Sequence, residues 1–226
     1  MISLFNTYVY EPILFVLSFI YSNIAFEDFG FAIIILTILI RFILFPIFFK
    51  SAKSQTIIQR LQPKVQDIQK KHKENKEEQA KALLSLYKEH KVNPFSGFFL
   101  LLLQLPVFFA LFRIFSQEAS GTMFGAHSLF GLVDLSVANI AIAILAGASQ
   151  YIQGKLALAS QKTDKKGAEQ NPMASAGKIM IYISPAITFF VLFRLPAALG
   201  LYWLVSTLFS VGQQVYINKK IEKEFE

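Results

Sequence analysis

The sequence predicts an all-α, polytopic membrane protein: five transmembrane helices, a cytosolic helical hairpin and an N-terminal interfacial helix. Three observations carry this. Hydrophobic residues make up 54% of the 226 residues and charged residues 16%, with mean hydropathy +0.47, a balance foreign to a soluble domain with one apolar helix. Five stretches approach the roughly 20 apolar residues that cross a bilayer: Phe29–Phe49, Ser96–Ser116, Ala138–Leu158, Ile179–Leu195 and Ala197–Ile217. The basic residues, finally, fall in alternate connecting segments.

The N-terminal segment, 1–28, contains no Lys or Arg. It therefore lacks the basic start of a secretory signal, and the mature chain is expected to begin at Met1. Its apolar part, Asn6–Tyr21, is interrupted by Glu11 and Pro12 and reads as a helix lying in the outer interface with its aromatic residues at headgroup depth. A sixth span is the competing reading, and it would put an uncharged N-terminus in the cytosol against the charge rule.

Between the first two spans, 50–95 is polar. Ile57, Ile58, Leu61, Val65 and Ile68 recur at helical spacing, as do Ala80, Leu83, Leu84 and Tyr87, with HKENKEE between them. Two amphipathic arms joined by a turn form a helical hairpin. Spans two to five complete a transmembrane core over 29–49 and 96–217, with a second polar loop at 159–178 and a tail at 218–226.

Orientation follows from charge. Eleven Lys/Arg fall in 50–95, five in 155–178 and three in the tail, while 1–28 and 117–137 have none. The positive-inside rule places both basic loops and the C-terminus in the cytosol and the N-terminus outside. Arg113 and Arg194 fall near outer span ends, where long side chains reach headgroups. Arg41 is different: it lies inside the first span, and no other span offers a carboxylate. Burying a guanidinium in hydrocarbon costs from ~2.5 to over 10 kcal/mol, so such a residue faces protein interior or water and marks a functional site.

Counting ~1.5 Å per residue from the cytosolic span ends puts Arg41, Gln104 and Gln150 all about 12 Å deep. Gln153 lies one turn from Gln150, and Thr37 one turn from Arg41. Ser206 and Thr207 fall near the midplane of the last span, with Gln213 and Gln214 closer to the cytosol. Polar groups in lipid must find partners or water. The bland reading is a glue of glutamines between helices. An arginine without a carboxylate points instead to a wet cavity, positively charged and open to the cytosol, suited to an anion or to a polypeptide segment carrying Asp or Glu.

Other chemistry has little support. The chain has no cysteine, its three histidines (His72, His90, His127) lie apart outside the spans, and no GxxxxGK[ST] loop occurs, so no metal or cofactor is expected. No His, Asp or Glu falls inside a span, which leaves an intramembrane enzyme without a base or a carboxylate pair. A small-anion transporter would use Arg41 for selectivity, but it would want the repeats and broken half-helices that this sequence lacks.

Several longer stretches are specific. GFAIIILTILIRFILFPIFFKSAKSQ around Arg41, LQPKVQDIQKKHK, LYKEHKVNPFSGFFLLLLQLPVFFALF, AGASQYIQGKL and LGLYWLVSTLFSVGQQ together resemble the YidC/Oxa/Alb family of membrane protein insertases in its bacterial form, over Tyr8 to Gln214. The resemblance implies a hydrophilic groove open to cytosol and lipid, in which Arg41 attracts the polar segment of a nascent membrane protein before its apolar helix enters the bilayer. It implies that Thr37, Phe108 and Trp203 face the client and that Gln104, Gln153 and Ser206 help line the groove. It further implies the bacterial inner membrane as location, nascent membrane proteins and lipid as partners, and the ribosome and Sec translocon beside them. The chain is expected to be a near-minimal member, without the large extracytoplasmic domain of some relatives or the lipoprotein-type cysteine of others. Three lysines beside three glutamates in the tail give little attraction for RNA, so sequence-specific nucleic-acid binding is not expected. The net charge of +7 is accounted for by topology and anionic lipid.

Overall fold

The computed structural model describes residues 2–118, 124–125, 127–159 and 172–225. Most of the polar loop expected at 159–178 lies outside the described residues, as does the last residue of the tail. Among the described residues the fold is all-α apart from one small hairpin.

The N-terminal helix runs through α1 (Ile2–Phe5), a π-helical turn (Asn6–Tyr10) and α2 (Glu11–Asn23). Pro12, which has no N–H to donate to the preceding turn, follows directly on that π-helical turn. α3 (Phe29–Ile43) begins at Asp28, whose Oδ1 accepts from the Phe31 N–H at 2.7 Å, a standard N-cap. α4 (Phe45–Arg60) follows after a break. The stretch expected as the first span, 29–49, is not one unbroken helix: the chain bends by 67° between α3 and α4. The cause is Pro46, which cannot donate to the Phe42 carbonyl and whose ring would collide with it.

A second proline repeats the device. Pro63 stands in the first turn of α5 (Gln62–Lys71) and breaks it from α4 at Leu61. Asn75 then caps α6 (Lys76–Glu89), its side chain accepting from the N–H groups of Glu77 and Glu78. The arm closes on Leu61, Val65, Leu86 and Val92, with Ile57, Ile58, Ile68, Leu83 and Tyr87 against them. Leu84, placed on the inner stripe by spacing, is 50% exposed, because the inward face of α6 runs through Leu83, Leu86 and Tyr87 instead.

α7 spans Ser96–Glu118. A two-residue hairpin, β1 (Ser128–Leu129) and β2 (Val133–Asp134), was not foreseen in the sequence. Phe130 and Gly131 both take positive φ in its turn, the geometry that matches strand twist in tight hairpins. It is held to the start of α3, where the Phe130 N–H donates to Asp28 Oδ2. A Cβ on Gly30 would come within 2.6 Å of Leu129 Cβ and 2.9 Å of its Cα, so only glycine admits this contact. α8 (Ile140–Ala159) starts at the cap Asn139, α9 covers Pro172–Leu192, and α10 (Ala197–Phe225) continues through most of the expected tail.

The two ends of this bundle differ. Ala32, Ile33 and Leu36 of α3, Leu111, Ile114 and Phe115 of α7, Ile142 of α8 and Ala197, Ala198, Leu199 and Leu201 of α10 form one apolar core with Leu17 and Ile20 of α2 in the half away from the arm, and Tyr202 of α10 sits at its arm-side edge. α10 approaches α8 closely there, since a Cβ on Gly200 would lie 2.8 Å from Ile142 Cγ2, the small-residue contact by which helices associate in lipid. The half nearest the arm carries the polar residues. Among the described residues, Ser3–Asn23 and Ser96–Gln117 are each long and apolar enough to cross a bilayer, α3 with α4 qualifies as a bent pair, and Ile179–Leu192 is apolar but shorter.

Candidate functional site

The sequence-predicted residues meet in one cavity of about 340 Å³ in the arm-side half. Arg41, Gln104, Gln150, Gln153, Trp203 and Ser206 all line it. Thr37 and Phe108 do not. Thr37 is buried one turn further from the arm and donates its hydroxyl to the Ile33 carbonyl at 2.6 Å. Phe108 stands behind Trp203, edge to face at 6.1 Å, and so props the indole.

Arg41 is 9% exposed. Its Nε donates to Ser206 Oγ at 2.6 Å, and its guanidinium carbon lies 4.6 Å from the centre of the Phe48 ring, a cation–π contact worth about 0.5–2 kcal/mol. Its Nη1 is buried and finds no hydrogen-bond acceptor among the described residues. Among the described residues, no carboxylate lines the cavity. The charge is therefore held by neutral dipoles and one aromatic face, and remains available to an anionic group.

α10 supplies the opposite wall. Tyr202, Ser206, Ser210 and Gln213 follow one another at spacings of three and four, which places them on a single helix face. Tyr202 accepts a hydrogen bond from Gln104 Nε2, linking α7 to α10. At the arm end, Gln214 donates to Thr56 Oγ1 of α4 and Asn218 to the Leu156 carbonyl of α8, at 3.0 and 2.9 Å. Gln150 donates to Ser184 of α9, while its Oε1 and Gln213 Nε2 are buried without a partner among the described residues. A further cavity of about 310 Å³ shares Gln150 and Gln153 and extends to Gln59 and Ser184.

Buried polar atoms without partners cost about 1–3 kcal/mol each in a dry interior. Water or a polar guest removes that cost, and a space of this size admits on the order of ten waters. Tyr202 both lines this polar notch and belongs to the apolar core, so the core adjoins the notch. Among the described residues there is no group of three or more His, Asp or Glu placed to hold a metal.

Tyr202, Phe48 and Gln55 also line the notch and were missed in the sequence. Tyr202 was legible in principle, one turn before Ser206 on the same face. Phe48 was not, because its approach to Arg41 depends on the bend.

Comparison with known proteins gives a consistent result. A sequence model of the family described as 60Kd inner membrane protein matches residues 19–224. The chain is 34% identical over 226 residues to the membrane protein insertase YidC of Pelobacter propionicus, covering 95% of this chain and 39% of that one. It is 35% identical over 220 residues to the YidC of Campylobacter jejuni, covering 96% and 39%. A solved structure described as an active YidC insertase with its first transmembrane domain resolved superposes with TM-score 0.63 at 28% identity, over 92% of this chain and 45% of that one. The chain thus spans less than half the length of these relatives.

Proposed function

Because the chain belongs to the 60Kd inner membrane protein family, we propose that it acts as a membrane protein insertase and folding chaperone. The polar segment of a nascent membrane protein enters the notch from the arm side and is attracted by Arg41. The apolar helix of the client then moves sideways into lipid. Moving a polar segment through hydrocarbon is costly because its groups lose water without gaining partners. A hydrated notch reaching partway across shortens the dry path, and the thermodynamic gain lies there.

The single observation that carries this reading is a buried arginine with no carboxylate partner among the described residues, at the wall of a polar cavity that adjoins the apolar core. The polar helices also account for a mismatch with simple hydropathy: α8 and α10 are 20 and 29 residues long, yet the glutamines and serines they turn to the notch lower their apolar content.

We place the protein in the bacterial inner membrane with the arm and C-terminus cytosolic, the N-terminus outside and five spans. What supports an interfacial N-terminal helix is that both its ends touch the side away from the arm. Asn6 and Tyr10 meet Arg113 and Gln117, at 2.7 and 2.6 Å, while the Tyr21 hydroxyl accepts from the Gly125 N–H. The ribosome and the Sec translocon belong to this proposal as partners on the cytosolic and lateral sides.

A photocrosslinker at Trp203 tests the reading on ribosome-bound, stalled membrane-protein chains. Adducts that appear when the polar segment reaches the membrane and fade as it elongates are expected. No adduct at any chain length would contradict insertion through this notch.

A further inference from the structure

A second cleft of about 490 Å³ lies outside the notch, at the base of the arm. Lys50, Lys53 and Ser54 of α4 form one wall at helical spacing, and His90 and Lys91, just after α6, form the other. Among the described residues that line it there is no carboxylate.

The second wall is built in an unusual way. Lys91 has φ +52° and closes α6 with its own N–H on the Lys88 carbonyl and that of Val92 on Tyr87, both at 3.0 Å. Glycine normally takes such a helix-ending position, because any Cβ crowds the following carbonyl there. A lysine held in this conformation puts a cation across the cleft from α4. His90 places Nδ1 2.9 Å from the Leu86 carbonyl, leaving Nε2 as the remaining polar atom of the ring.

The floor is aromatic. Phe49 stacks on Phe45 at 5.7 Å, lies 6.0 Å from Tyr216 and carries Lys220 Nζ at 5.5 Å. It ends the apolar run Phe45–Phe49 of α4, so the cleft sits where hydrocarbon gives way to headgroups and aromatic rings collect.

We propose that this cleft binds a phosphate-bearing anionic group, the headgroup of an anionic phospholipid, and so clamps the base of the arm to the bilayer. Three lysines match a phosphate diester, and Phe49, Ile57 and Val92 match the start of an acyl chain. The apolar floor favours lipid over a free phosphate or a nucleic acid. At anionic surfaces the contribution per basic residue multiplies, so removing three lysines is expected to weaken retention on the order of a hundredfold.

The test uses the full chain in phosphatidylcholine nanodiscs with or without phosphatidylglycerol, following amide exchange over residues 86–95 at constant salt. Phosphatidylglycerol is expected to slow exchange there. K50Q/K53Q/K91N is expected to lose that slowing, asparagine being tolerant of the left-handed backbone, while K70Q/K71Q/K73Q at the far end of the arm keeps it. No slowing, or equal loss in both variants, overturns the proposal. Slowing by millimolar glycerol 3-phosphate in pure phosphatidylcholine upholds the phosphate site and assigns it a soluble ligand. Slowing by a short RNA duplex and not by phosphatidylglycerol overturns it in favour of nucleic acid.

Discussion

Arg41 of α3 and Phe48 of α4 face each other across a helix break, guanidinium carbon to ring centre at 4.6 Å. On one straight helix the same two positions would be about 10 Å apart along the axis. The 67° bend brings the ring back to the cation, so the notch depends on the break as much as on the arginine.

Pro46→Ala restores the N–H that the break lacks and removes the ring clash. Spin labels at Ile38 and Ser54 are expected to move apart toward the roughly 24 Å of a straight helix. An unchanged separation would mean that contacts elsewhere, and not the proline, hold the bend.

Gly200→Leu forces atoms into the contact with Ile142, where even a Cβ lies 2.8 Å from Cγ2. Overpacking of this kind costs about 1–3 kcal/mol. Thermal unfolding in detergent is expected to shift down accordingly, with part of the loss recovered in Gly200→Leu/Ile142→Ala, since residues in contact couple. Equal losses in the single and double variants would remove the contact as the cause.

In the arm, Leu86→Ala empties a buried site shared with Leu61 and Val65 and is expected to cost about 2 kcal/mol. Leu84→Ala, at a position 50% exposed, should cost within about 0.5 kcal/mol. Amide exchange over 62–89 separates them: the first speeds it while the bundle stays protected, and the second leaves it unchanged.

Asp134 responds to pH on the small hairpin. The Ser136 hydroxyl and N–H both donate to its Oδ1, at 2.6 and 2.8 Å, and hold the carboxyl below its ordinary value of 3.8. The folded state thus favours the ionised form. Its contribution to holding the turn is present above the ordinary carboxylate range and is lost as pH falls through the lowered value. Exchange at Ser136 should rise only in that acid window, and Asp134→Asn should remove the dependence.

Much of this arrangement was legible in the chain, for reasons that differ by residue. Apolar length and basic loops gave the helices, and the missing carboxylates singled out Arg41. Gln104, Gln150 and Gln153 join it at one cavity, although the depth count that grouped them assumed a straight first helix. Pro46 was visible in the sequence, but a proline near the end of an apolar run reads as a boundary, and the angle it imposes is set by packing. Tyr202 was legible from its place one turn before Ser206, but a tyrosine in an apolar helix passes for an interfacial aromatic until its pairing with Gln104 is seen. Thr37 shows the reverse. Its spacing put it on the face of Arg41, yet a hydroxyl in a helix satisfies itself on the preceding turn.

The central claim is that the charge at position 41 draws acidic segments into the notch. The direct measurement is insertion into proteoliposomes of one client whose translocated segment carries either acidic or neutral residues, for wild type, Arg41→Lys and Arg41→Ala. The account predicts that Arg41→Ala loses at least tenfold on the acidic client and little on the neutral one, and that Arg41→Lys keeps most activity on both. Full activity of Arg41→Ala toward the acidic client would contradict it.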